Sequence, residues 1–146
     1  MIKVKDVAFV HFSAPDLDVM EKFAADFGLV TAERSEDRLY LRGTDAAPYV
    51  HVTEKGEPGF LGAGFEAASA QDLSAAATLD GASKVEAIGA PGGGSRVTFT
   101  DPNGFQVEVV HGREEVQPLP VRGASPLNRG SLAYELTFPV LLARYL

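Results

Sequence analysis

The sequence predicts an α+β fold in which paired βαβββ modules form one curved mixed sheet with a concave face. The first observation behind this is the order of local signals. A Val- and Phe-rich run, an amphipathic stretch and three short strand-like segments occur, and then the same series begins again. The second is an internal correspondence at an offset of 56, pairing Asp16-Leu17 with Asp72-Leu73, Thr44-Asp45 with Thr100-Asp101, Tyr49 with Phe105 and Gly56 with Gly112. The third is the punctuation between segments, which comes from Pro, Gly and Asp clusters of the kind that close turns.

Each element follows from its residues. Val4 to Ser13 reads as a strand, and Ala14-Pro15-Asp16 supplies a turn and an N-cap. Leu17, Met20, Phe23, Ala24 and Phe27 then fall in the i, i+3, i+4 rhythm of a helix stopped by Gly28. Strands are expected over 29–33, 38–42 and 49–54. In the second series 60–67 reads as a strand, 71–79 as a helix, 84–88 as a short strand, and 95–100 with 105–111 as a strand pair. The run Gly92-Gly93-Gly94 is a hairpin turn and no phosphate loop, because no Gly-Lys-Ser/Thr follows it. This places a domain at 1–112, with module 1 at about 4–56 and module 2 at about 60–112. A Pro/Gly-rich connector follows at 113–130 and an apolar tail at 131–146.

Composition bounds the function classes. A chain of 146 residues suits one compact domain with a substantial core. The net charge of −7 opposes a nucleic-acid partner, which needs basic surface to neutralise phosphates. Without cysteine, neither disulfides nor thiolate metal sites are available. The longest apolar stretch near the C-terminus, Phe138 to Ala143, is too short to span a bilayer, and Met1 to Asp6 reads as a strand entry. A cytoplasmic location with no membrane partner is the expectation.

The strongest local motif is Asp101-Pro102-Asn103-Gly104-Phe105-Gln106-Val107-Glu108, a tight turn that delivers Glu108 onto the departing strand. It resembles the D-P-x-G-x-x-x-E segment of the glyoxalase, bleomycin-resistance and extradiol dioxygenase proteins, the vicinal oxygen chelate superfamily. Val10 to Leu17 with Phe23 and Phe27-Gly28-Leu29 is similar to that family's opening strand, helix start and helix exit. Phe65 to Leu73 resembles the opening of its second module.

The resemblance implies a divalent metal on the concave face, held in the dioxygenases by two His and one Glu with positions left open for substrate and oxygen. Matched position by position, these ligands fall on Phe9, Gly62 and Glu108. Two of the three lack donor atoms, so the expectation is no cofactor, with Glu108 the lone surviving ligand position. Fe(II) or Mn(II) enters only if His11, two residues from Phe9 and on the same side of its strand, is recruited beside Glu108. By strand parity His51 and His111 face away from Glu108.

The implied function is that of the metal-free N-terminal half of a two-domain extradiol (catechol- or dihydroxybiphenyl-type) dioxygenase, in a structural or oligomer-interface role and inactive alone. Val109-Val110-His111-Gly112 and the Pro118 to Arg122 connector are similar to the end of that half. The expected partner is then a second copy of the chain or a missing catalytic half. A second reading is a bleomycin-resistance-like protein that holds a small aromatic ligand in a groove formed by Phe9, His11, Phe12 and Tyr49. A third is a metal-dependent glyoxalase or dioxygenase with reassigned ligands. The tail departs from the family pattern. A truncated product, a self-docking tail and a dimer contact all account for its apolar residues.

Overall fold

The computed structural model describes residues 1–121. The tail expected at 131–146, and the connector beyond residue 121, lie outside the described residues. The elements are β1 (Val4–Ala14), α1 (Leu17–Asp26), β2 (Val30–Arg34), β3 (Arg38–Arg42), β4 (His51–Lys55), β5 (Gly59–Ala67), α2 (Ala70–Ala76), β6 (Glu86–Ala87), β7 (Ser95–Thr100) and β8 (Gln106–His111). They form one eight-stranded mixed sheet in the order β2-β3-β4-β1-β5-β8-β7-β6. That order is symmetric about its centre. In each module the first strand runs parallel to the last, β1 with β4 and β5 with β8, while β1 and β5 pair antiparallel and join the modules. No helix among the described residues is long and apolar enough to cross a membrane.

The sheet has two faces because side chains alternate along each strand. On one face α1 covers Leu39 and Leu41 with its own Leu17 and Ala24, and α2 covers Ala67, Val97 and Val109 with Leu73 and Ala76. The concave face carries a third apolar cluster, Ala8, Phe9, Tyr40, Tyr49, Val52 and Val110, with Ile88 and Ala90 packed against it. The helical rhythm overstates what α1 buries. Phe23 and Phe27 are 60% and 81% exposed, and with Val19 they form an apolar ridge left uncovered among the described residues.

Helix starts show how the two modules diverged. Asp16 caps α1, its carboxylate accepting from the N–H groups of Asp18 and Val19 at 2.8 and 3.1 Å. In α2 the cap is Ser69, which accepts from the N–H of Asp72 at 3.1 Å. Asp72 instead accepts from the N–H of Lys3 at 2.9 Å and ties down the start of β1. Asp16 and Asp72 therefore match in sequence without sharing a role. The modules repeat, but insertions shift their correspondence along the chain.

The connector is more closely bound than a spacer. Glu114 donates its N–H to Gly92, Val116 to Ala46 and Leu119 to Thr44, each at 2.8 Å, and Arg42 reaches the Gln117 carbonyl at 2.8 Å. Pro and Gly content argued for a semi-extended linker. Backbone hydrogen bonds to the β3–β4 loop hold its first half on module 1.

At the β1–β5 seam, Gly64 lies opposite Phe9, and the Phe9 ring occupies the space a Cβ at 64 would take. Gly64→Ala forces that buried ring to move and is expected to destabilise the domain by about 1–3 kcal/mol. Denaturant unfolding of the two proteins measures the difference, and a loss below about 0.5 kcal/mol contradicts this packing.

Candidate functional site

The concave face is charged as well as apolar. Register places Arg38 and Tyr40 on β3, Val52 and Glu54 on β4, Phe9 and His11 on β1, Glu108 and Val110 on β8 and Arg96 on β7 along the same side. Between them lies a cleft of about 150 Å³. Its aromatic wall is continuous, with Phe9 and Tyr49 centroids 5.1 Å apart and Tyr40 and Tyr49 5.2 Å apart. Its polar side consists of His11, Arg38, Arg96 and Glu108.

Glu108 is 6% exposed and bonded to Arg96, whose Nη1 donates to its Oε2 at 3.2 Å. Arg96 also faces Glu86, Nε to Oε2, at 3.8 Å, beyond hydrogen-bonding range. His11 is 9% exposed, and its Nε2 sits 3.4 Å from Glu54, which pairs with Arg38 at the same distance. Two buried nitrogens on this surface, His11 Nε2 and Arg96 Nε, have no hydrogen-bond partner among the described residues. Burial holds the His11 imidazole below its ordinary pKa, against the opposing pull of Glu54 and Glu108. The Tyr49 hydroxyl is raised, again chiefly by burial.

One end of the concave face is closed by the connector. Arg113 lies 5.1 Å from the Tyr49 ring centroid and 5.9 Å from that of Phe9, and it pairs with Glu66 at 3.3 Å. Beyond it is a larger hollow of about 370 Å³ lined by acids and bases including Lys5, Asp45, Glu66, Arg113 and Glu115.

The structure brings Phe9, His11, Tyr49 and Glu108 to one cleft. Phe12 is not with them. It follows His11 by one residue and points to the opposite face, where it stacks on His51 at 5.3 Å and meets Phe60 edge-on at 5.2 Å. Its place in the expected groove is therefore corrected. His51 is bonded to Thr53 at 2.9 Å on that same face. Sequence reasoning missed Arg38, Tyr40, Glu54 and Arg96, whose signal was available. Each alternates with an apolar or helix-facing neighbour on its strand, so parity alone assigns it to the concave side.

The donor set does not suit a catalytic metal. Among the described residues no group of three His, Asp or Glu side chains is placed to hold an ion. Phe9 fills its position with a ring. At Gly62 any Cβ would overlap the backbone carbonyl of Gln106, so the approach of β5 to β8 leaves no room for an imidazole. The cation already beside Glu108 is Arg96.

No known family model and no curated protein matches this sequence. Solved structures do. A Mn(II)-bound glyoxalase from Novosphingobium aromaticivorans superposes with a TM-score of 0.74 at 20% identity, over 86% of this chain and 44% of its own. Homoprotocatechuate 2,3-dioxygenase from Brevibacterium fuscum, in complex with 3,4-dihydroxyphenylacetate, gives 0.70 at 22% identity over 81% and 40%. The enzyme of the same name from Arthrobacter globiformis gives 0.68 at 24% over 80% and 39%. The fold is that of the vicinal oxygen chelate proteins. The chain spans less than half the length of each of these structures.

The lowered His11 and His51 pKa values have a pH consequence. Burial is the leading cause at both, with the neighbouring His11 charge adding at His51. Below the unfolded pKa of about 6.5 the unfolded chain takes up protons that the folded one resists. Stability is thus fully present above that pH and is lost as pH falls toward the folded values. Melting temperature measured from pH 7.5 to 5.5 is expected to fall, and to fall less in His11→Gln/His51→Gln. Equal slopes refute the assignment.

Proposed function

We propose that the chain is a metal-free domain of the vicinal oxygen chelate fold, the counterpart of the part of an extradiol dioxygenase that serves structure and assembly, without ring cleavage of its own. The observation that carries this reading is Arg96 on Glu108. A guanidinium occupies the electrostatic place of a metal ion, beside a ring at position 9 and a glycine at 62 that has no room for a side chain. A lone carboxylate already engaged by arginine has little affinity left for a divalent ion. The apolar ridge of Val19, Phe23 and Phe27, uncovered among the described residues, supports packing against a second domain or copy. The partial coverage of its structural relatives fits the same reading.

The nitrogens of His11 and Arg96 that lack a hydrogen bond among the described residues favour a second role on the same scaffold, metal-free capture of a small molecule in the cleft. The two roles are compatible, since a domain without catalysis retains its concave face.

Titration of the purified chain with Mn(II) and, anaerobically, Fe(II) tests the metal-free assignment. The expected result is no saturable binding, and no oxidation of 3,4-dihydroxyphenylacetate beyond the rate of free iron. Stoichiometric binding that disappears in Glu108→Gln would overturn it.

A further inference from the structure

We infer that the apolar face of α1 is the docking site for residues 131–146 of the same chain. This narrows the assembly role proposed above to one occupant of the α1 ridge, and it is independent of the metal-free reading of the cleft. The two helices differ in what they leave exposed. On α1 the side chains of Val19, Phe23 and Phe27 are uncovered among the described residues, with the two rings 5.7 Å apart. Beside them Ala14, Pro15, Asp16, Val19, Met20 and Phe23 line a mostly apolar hollow of about 270 Å³. Helix α2 instead turns its one large apolar side chain, Leu73, into the core. An apolar face left open on one helix of a matched pair marks a contact surface.

The path of the chain brings the occupant to that surface. Strand β8 closes module 2, yet the residues after it cross to module 1, where Val116 donates its N–H to Ala46 and Leu119 to Thr44. Arg42 bonds the Gln117 carbonyl and pairs in register with Val30, three residues beyond Phe27. The chain therefore reaches Val121 near the C-terminal end of α1. Residues 122–146 lie outside the described residues, and their length supplies the reach. The connector 122–130 extends up to about 30 Å, whereas the ridge from Val19 to Phe27 is about 12 Å long.

Composition and charge match as well. Leu132, Leu136, Phe138, Val140, Leu141 and Leu142 make the segment strongly apolar. Residues 122–146 carry Arg122, Arg129 and Arg144 against Glu135 alone. Around the ridge stand Asp16, Asp18, Glu21 and Asp26 against Lys22 and Arg34. A basic apolar segment thus meets an acidic apolar helix, and attraction between exposed charges adds to apolar burial. A second copy laid on the same ridge about a twofold axis would instead bring those acids face to face.

The chain has no cysteine, so Ala143→Cys in the full chain carries a single nitroxide label. Amide signals of Val19 to Phe27 are expected to lose more than half their intensity to paramagnetic broadening, and those of α2 to keep theirs. Leu136→Asp/Phe138→Asp in the same labelled chain should restore most of the α1 intensity, with unchanged β8 chemical shifts showing that the domain remains folded. A mixture of labelled, isotope-free chain with unlabelled, isotope-enriched chain should show no broadening on α1. Broadening in that mixture means that a second copy fills the ridge, and it overturns the inference. So does full α1 intensity in the labelled chain, or broadening that survives Leu136→Asp/Phe138→Asp. The metal titration above involves none of these residues, so the metal-free reading stands or falls separately.

Discussion

The antiparallel seam between β1 and β5 is the contact on which the rest of the molecule depends. It joins the modules, and both its strands carry residues of the concave face. The seam is unusual in its side chains. β5 offers Gly62 and Gly64 where the opposite strand offers His11 and Phe9, so the large groups lie across bare backbone. The register also shifts at three points along this pair, which bends the strands where they cross from one module to the other. Without those glycines the Phe9 ring has nowhere to lie, and the aromatic wall built from Phe9, Tyr49 and Tyr40 loses its first member.

Close strand packing on the other side of β5 also limits what position 62 can hold. Strand β8 lies against β5 so closely that Gln106 occupies the volume of a side chain at 62. Exchange of glycine for histidine there requires the strands to separate. Arg96 neutralises the Glu108 carboxylate, which is nine-tenths buried and would otherwise sit in the cleft uncompensated.

Most of the architecture was legible because it follows from short-range rules. The cap at Asp16, the i, i+4 rhythm after it and the Asp-Pro-Asn-Gly turn each specify their own geometry. In that turn the Asp101 carboxylate accepts from the N–H groups of Asn103 and Phe105 at 2.8 and 2.9 Å, and the Phe105 bond is the chief cause of its lowered pKa. Non-local placement was harder. Phe12 adjoins His11 in sequence, yet a period of two sends it to the other face. Asp72 was matched to Asp16 by identity, while its partner, Lys3, is 69 residues away. The helical face of α1 was legible, but not that Phe23 and Phe27 would be left uncovered. That depends on what packs against the helix, which its own periodicity does not encode.

A pattern of His and Glu alone does not reveal Arg38 and Arg96, the two cations that line the cleft. An arginine beside Glu108 offers chemistry unlike that of a metal ion. A metal offers open coordination positions and Lewis acidity, whereas a guanidinium offers one delocalised charge and donors fixed in a plane. Such a group orients an acceptor oxygen without activating it. The polar side of the concave cleft is accordingly set by two guanidinium groups, one imidazole and one carboxylate.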